Sequence, residues 1–159
     1  MLQPQEYQEA IDYLERASGL DEEDVNLLLT LANAYVILQR DDDALRSYER
    51  AIELKPENHE PLVNMGRIYW QREDYSQAAK YLEGAVELAP TDVDAGHDLA
   101  MTYIKLEQLE KARPVLERVI EMDPENGDNW YWLGHIYAHA QMLEESKEAF
   151  ERADSLKAK

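Results

Sequence analysis

The 159-residue sequence contains no cysteine, one phenylalanine, six glycines and six prolines. Without cysteine there is no disulfide framework, no thiolate metal site and no cysteine nucleophile. Positive charge is scarce as well: 16 Lys and Arg stand against 34 Asp and Glu, a formal net charge of −18. That sign opposes the counterion release that drives binding to a phosphate backbone, and it opposes adsorption to an anionic leaflet. No nucleic-acid partner is expected. Long apolar runs are missing too. The longest, from Val25 to Leu38, is interrupted by Asn26, Thr30 and Asn33, whereas a membrane-spanning helix needs about 20 apolar residues. No membrane insertion is expected. The start, Met1-Leu2-Gln3-Pro4, has neither the basic flank nor the apolar stretch of a secretory signal, so the expected location is cytoplasmic. Hydrophobic residues still make up 45% of the chain, enough for a packed core.

Catalytic signatures are equally sparse. No Gly-Lys pair occurs, so there is no phosphate-cradling loop, and no Gly-x-Ser-x-Gly elbow is present. The segment from Asp92 to Asp98 hints at a calcium loop. Its glycine, Gly96, stands one place early, however, and Tyr103 occupies the position of the bidentate glutamate. His135 and His139 share a helix face, with His97 on the matching face one period earlier. Asp94, Asp98 and Asp128 are near enough in register to complete a metal site on paper, but imidazoles lining a groove account for the same pattern. The chain is read as a non-enzyme without metal or cofactor.

What the sequence does contain is a period of 34. Prolines stand at 56, 90 and 124, and tyrosines at 35, 69, 103 and 137. The same interval separates Leu31, Met65, Leu99 and Leu133, and again Ala44, Ala78, Ala112 and Ser146. Within a period, Leu62, Met65, Gly66 and Tyr69 form one helical stripe, and Tyr75, Ala78, Ala79, Leu82, Ala85 and Val86 form a second. The short polar link from Gln71 to Asp74 makes the two helices antiparallel neighbours. Each proline closes a second helix, and Asn58, Asp92 and Asn126 are suited to cap the next one. Stripes of this kind bury their apolar faces only by stacking on neighbouring repeats.

These columns resemble the tetratricopeptide repeat. Trp130-Tyr131-Trp132-Leu133-Gly134-His135-Ile136-Tyr137 fits its Trp-x2-Leu-Gly-x2-Tyr opening without a mismatch. The other repeats are looser: Ala32 and Ala100 replace the glycine, and Gly96 sits where a large residue is usual. The resemblance covers essentially the whole chain. It implies an all-α, right-handed α-solenoid of about nine helices, with full repeats at 25–58, 59–92, 93–126 and 127–159. Residues 1–24 then form the second helix of a partial repeat, with Tyr7, Ala10, Leu14, Ala17 and Leu20 on second-helix columns. The chain so read begins in mid-repeat, as a portion of a longer array would. The tyrosine column is expected to pack between helices.

By the same resemblance, first helices line a concave face that takes up peptides. The positions expected there are Asn26, Leu29, Asn33 and Val36, then Glu60, Val63, Asn64, Arg67, Trp70 and Gln71. The third repeat supplies Asp94, His97, Asp98, Met101 and Lys105, and the fourth Asp128, Tyr131, Trp132, His135, Ala138 and His139. Aromatic residues among them suit interface hot spots. Repeats that clamp acidic chaperone tails use two asparagines and several basic residues. Asn33 and Asn64 occupy the asparagine slots, but Leu29, Asp94 and Asp98 occupy basic ones, so that ligand is excluded. The expected partner is a protein or peptide, neutral or basic. Two other readings stay open. One is a scaffold that self-associates end to end through Leu14 and Ala17 at one end and Phe150 and Leu156 at the other; the other is a recruitment arm of a larger protein.

Overall fold

A computed structural model describes residues 4–18 and 23–157. Among these residues there are nine α-helices and no strand: α1 (Pro4–Ser18), α2 (Val25–Ile37), α3 (Asp41–Leu54), α4 (Glu60–Gln71), α5 (Tyr75–Leu88), α6 (Val93–Lys105), α7 (Leu109–Met122), α8 (Gly127–His139) and α9 (Leu143–Lys157). Leu20 and the side chains of Tyr7, Ala10 and Ala17 lie outside the described residues.

Local chemistry sets the helix ends. The side chains of Asp24, Asp92 and Asn126 accept hydrogen bonds from backbone N–H groups of the turns they precede, each such cap being worth about 1 kcal/mol. Asn58 does the same for Glu60 N at 3.1 Å, although His59 follows it before α4 begins. α3, α5 and α7 all stop two residues short of Pro56, Pro90 and Pro124. The turns between paired helices repeat one geometry. Gln39, Glu73, Glu107 and Gln141 adopt left-handed backbone, with φ of 58°, 59°, 57° and 59°. The N–H of the following residue then returns to the carbonyl of the repeat tyrosine, as from Arg40 to Tyr35 and from Asp74 to Tyr69, both at 2.9 Å. This is the Schellman closure, usually served by glycine. Here Gln and Glu bear the strain.

Each turn folds its helices together, pairing α2 with α3, α4 with α5, α6 with α7 and α8 with α9, and successive pairs stack. The close approach depends on small residues. A Cβ on Gly66 would lie 2.6 Å from Leu82 Cγ, and one on Gly134 would lie 2.9 Å from the Phe150 ring. Ser146, in a column otherwise held by alanine, donates to Gly134 O at 2.9 Å, which satisfies a hydroxyl that is buried. Gly96 departs from its column for a related reason: a Cβ there would come within 2.7 Å of Val119 Cγ2. Val119 is itself the exception in a column of Ala51, Ala85 and Ala153.

The tyrosine column divides. The Tyr35, Tyr103 and Tyr137 hydroxyls donate to Glu15, Glu83 and Glu117, each 20 residues earlier, at 2.6, 2.6 and 3.0 Å. These bonds tie the first, third and fourth full repeats to their predecessors. Burial, followed by the bond to the neighbouring carboxylate, pushes Tyr35 and Tyr137 up to about 12. Tyr69 instead stacks on Tyr81, with ring centroids 5.3 Å apart and planes within 4°. The packing role expected of the column is thus met in two different ways.

Candidate functional site

The first helices carry a recess. A cavity of about 520 Å³ opens between α4, α6 and α8. Trp70, Met101, Ile104 and Trp132 form its apolar walls and Leu82 reaches its floor, while Arg67, Gln71, His97, Asp98 and Lys105 supply the polar part of the lining. Leu82 is fully buried and comes from α5, and it fits beneath α4 because Gly66 has no side chain to obstruct it. Trp70 is 37% exposed, and its ring meets Tyr75 edge-on at 5.8 Å.

Two side-chain contacts organise the lining, the first part-buried and the second exposed. His97 Nδ1 lies 2.7 Å from Asn129 Oδ1. Because that oxygen can only accept, Nδ1 carries the proton in this contact. Asn129 is fully buried, and its Nδ2 has no partner. Arg67 donates to Asp98 at 2.5 Å, pairing the two charges within the lining. Lys105 makes no ion pair or hydrogen bond among the described residues.

A second recess, of about 310 Å³, adjoins the first at Arg67 and is lined by Asn33, His59, Glu60, Val63, Asn64, Asp92 and Asp94. Tyr48, fully buried beneath, donates from its hydroxyl to Asn33 Oδ1 at 2.5 Å. Burial first, and the nearby Glu60 second, push that hydroxyl up to about 12, against the opposing hydrogen bond from Asn64. The two asparagines singled out by sequence therefore converge on one tyrosine. Asp92 caps α6 and lies 2.9 Å from His59 Nε2. Burial alone would raise its carboxyl, but the Ala95 N–H, His59 and the Asp94 N–H outweigh it and hold the group below its ordinary value.

Of the expected groove residues, Arg67, Trp70, Gln71, His97, Asp98, Met101, Lys105 and Trp132 share the larger recess, and Asn33, Glu60, Val63, Asn64 and Asp94 the smaller. Tyr131, His135 and His139 lie outside both. Tyr131 packs edge-on against His135 at 4.5 Å and Phe150 at 5.9 Å, with the Lys157 amine 5.0 Å from its ring centroid; His139 is exposed in the last turn of α8. Leu29 is corrected from groove-facing to core, at 7% exposed, whereas Val63, at 6% exposed, belongs to the core and still reaches the smaller recess. Leu82, Ile104 and Asn129 were missed. Gly66 opposite Leu82 was the only sequence cue. Asp92 to Asp98 is a helix start rather than a calcium loop, and among the described residues no three His, Asp or Glu side chains converge as metal ligands. Nor is any helix of these residues long and apolar enough to cross a membrane.

Three family models of the tetratricopeptide repeat match the chain, at residues 32–71, 69–121 and 97–159. No curated protein sequence matches it. Among solved structures, a crystal structure of MamA superposes with a TM-score of 0.86 at 21% identity, covering 96% of this chain and 89% of that one. MamA from residue 41 onward, from Desulfovibrio magneticus RS-1, gives 0.82 at 24%, with 96% and 86% covered. YrrB, described as a TPR protein with an unusual peptide-binding site, gives 0.80 at 26%, with 96% and 78% covered. The MamA likenesses speak for the fold.

Proposed function

The chain belongs to the tetratricopeptide-repeat family, and from that premise we propose that it is a non-catalytic protein-interaction module whose first-helix face is a concave groove for a peptide or partner helix. The observation that carries this reading is the apolar recess between α4, α6 and α8, walled by two tryptophans in a chain that otherwise has one. Large aromatic side chains presented at the rim of a cavity are the usual anchors of an interface. Arg67, Trp70, His97, Met101 and Lys105 would make the contacts at that recess, and Asn33, Asn64 and Asp94 those at its neighbour. A peptide-binding site in YrrB, a structural neighbour, is consistent with the reading by analogy of fold. The repeat division 25–58, 59–92, 93–126 and 127–159, preceded by a partial repeat, is supported by the four helix pairs and by α1 standing before them. A cytoplasmic location belongs to the same reading and is tested by fractionation.

The test is capture of partners on the immobilised chain at low and high salt, beside a Trp70→Ala/Trp132→Ala variant shown by circular dichroism to be folded. Capture lost in the variant and weakened by salt supports a groove-bound neutral or basic partner. Capture indifferent to both changes contradicts it.

A self-associating scaffold is the second reading. Tyr13 on α1 and Leu143 on α9 are 72% and 70% exposed, one apolar group on each terminal helix. Phe150, expected at an open end, instead packs against Gly134, Tyr131 and His135. The informative substitution is therefore Leu143→Glu rather than Phe150→Glu, read by sedimentation over a concentration series. A concentration-dependent assembly that survives Leu143→Glu and Tyr13→Glu alike rules this reading out.

A further inference from the structure

The two recesses meet at Arg67, which pairs with Asp98 of the larger one, and they differ in character on either side of it. Toward α8 the walls are apolar, and the one charge left over is the unpaired Lys105. Toward α2 the lining is acidic: Asp92 is engaged by His59, whereas Glu60 and Asp94 are exposed and enter no ion pair among the described residues. The face is therefore bipolar, with a slot for a large side chain at one end and free carboxylates at the other. A cation is repelled from the slot end and attracted to the opposite end.

Resting on the groove reading, and adding the ligand's sequence to it, we propose that the joined recesses select an extended peptide carrying one bulky apolar side chain, with tryptophan the best fit, and a lysine or arginine three residues away. The apolar side chain enters the Trp70–Trp132 slot, and the basic one lies over Glu60 and Asp94. The spacing follows from the helix. Asp94 and Met101 are seven residues apart on α6, about 10 Å at roughly 1.5 Å per residue. A polyproline II peptide has about three residues per turn and rises about 3.1 Å per residue, so its positions i and i+3 share a side about 9 Å apart. A pleated strand would turn those two side chains to opposite faces.

The probe is an array of end-blocked octapeptides in an Ala/Pro background. Each holds one Lys and one Trp separated by one to four positions, in both chain orders, and affinities are read by fluorescence anisotropy. The three-residue spacing should bind at least about tenfold tighter than one-residue spacing, and exchanging its Lys for Glu should lose a similar factor (about 1.4 kcal/mol). On the protein side, Glu60→Lys/Asp94→Lys should erase the preference for Lys and keep that for Trp. Trp132→Ala should do the reverse. Peptides whose binding depends on Trp132 without preferring Lys or any spacing would overturn this proposal while leaving the groove reading intact. Binding by no peptide in a manner sensitive to either pair of variants would overturn both.

Discussion

Gly96 and Val119 offer the sharpest test of how these repeats pack. The equivalents of Gly96 are Leu28, Leu62 and Trp130, and those of Val119 are Ala51, Ala85 and Ala153, so the third repeat has exchanged a large-small pair for a small-large one. Gly96→Ala would place a Cβ 2.7 Å from Val119 Cγ2. Val119 is fully buried, and a β-branched side chain in a helix has one favoured rotamer, so relief requires movement of α6 against α7. Overpacking of this kind costs about 1–3 kcal/mol, offset by about 1 kcal/mol of improved helix propensity. Gly96→Leu should cost more. Val119→Ala alone removes two methylene equivalents and leaves a void, a loss of about 2 kcal/mol. The double variant Gly96→Leu/Val119→Ala rebuilds the pairing used by the second repeat and should lose at least about 1 kcal/mol less than the sum of its parts, within the range of contacting pairs. Urea unfolding followed by far-ultraviolet circular dichroism on all four proteins measures the cycle. Additivity to within about 0.5 kcal/mol would refute the idea that these two positions compensate each other.

Pro114 is the sixth residue of α7, where it removes one helical hydrogen bond and crowds the carbonyl of Glu110. Pro114→Ala should therefore stabilise by about 1–3 kcal/mol in the same unfolding assay. Glu73→Gly should raise the melting temperature modestly, since release of a left-handed backbone worth about 1–2 kcal/mol exceeds the added freedom of glycine in the unfolded chain, about 0.4–1 kcal/mol; a fall would show that the Glu73 side chain contributes more than the strain costs. Tyr35 and Tyr48 titrate near 12 in the folded chain and near 10 unfolded, so the folded state binds the proton more tightly. Their contribution is complete below pH 10 and drains away between about 10 and 12, at about 1.4 kcal/mol per pH unit for each. Tyr35→Phe should flatten that decline, measured as stability against pH, and an unchanged slope would remove Tyr35 from the account.

The solenoid was legible because its signals are periodic: the proline, tyrosine and small-residue columns each follow from a packing demand that recurs every 34 residues. Gly96 and Ser146 broke their columns and could not be interpreted until Val119 and the Gly134 carbonyl were seen beside them. The turns were visible only as short polar links, since Gln and Glu carry no mark of a left-handed backbone that glycine would have announced. Most of the recess was legible for a simple reason: residues on the first-helix stripe but off its buried edge must face outward. Tyr131, 39% exposed, sits outside both recesses beside Phe150 of α9, a placement not legible beforehand because helix periodicity records nothing about side chains arriving from another element. Asn129 gave no signal at all; its importance lies in the one contact with His97.

Docking on the first-helix face, at the recess between α4, α6 and α8, is the proposed mode of partner binding. A photo-crosslinking amino acid at Met101, within the recess, and another at Lys80, exposed on α5, would test it on the full chain in lysate. Docking at the recess should give partner adducts from position 101 that disappear with Trp132→Ala, and few from position 80. Adducts formed from position 80 and absent from position 101 would contradict it and move the interface to the second helices.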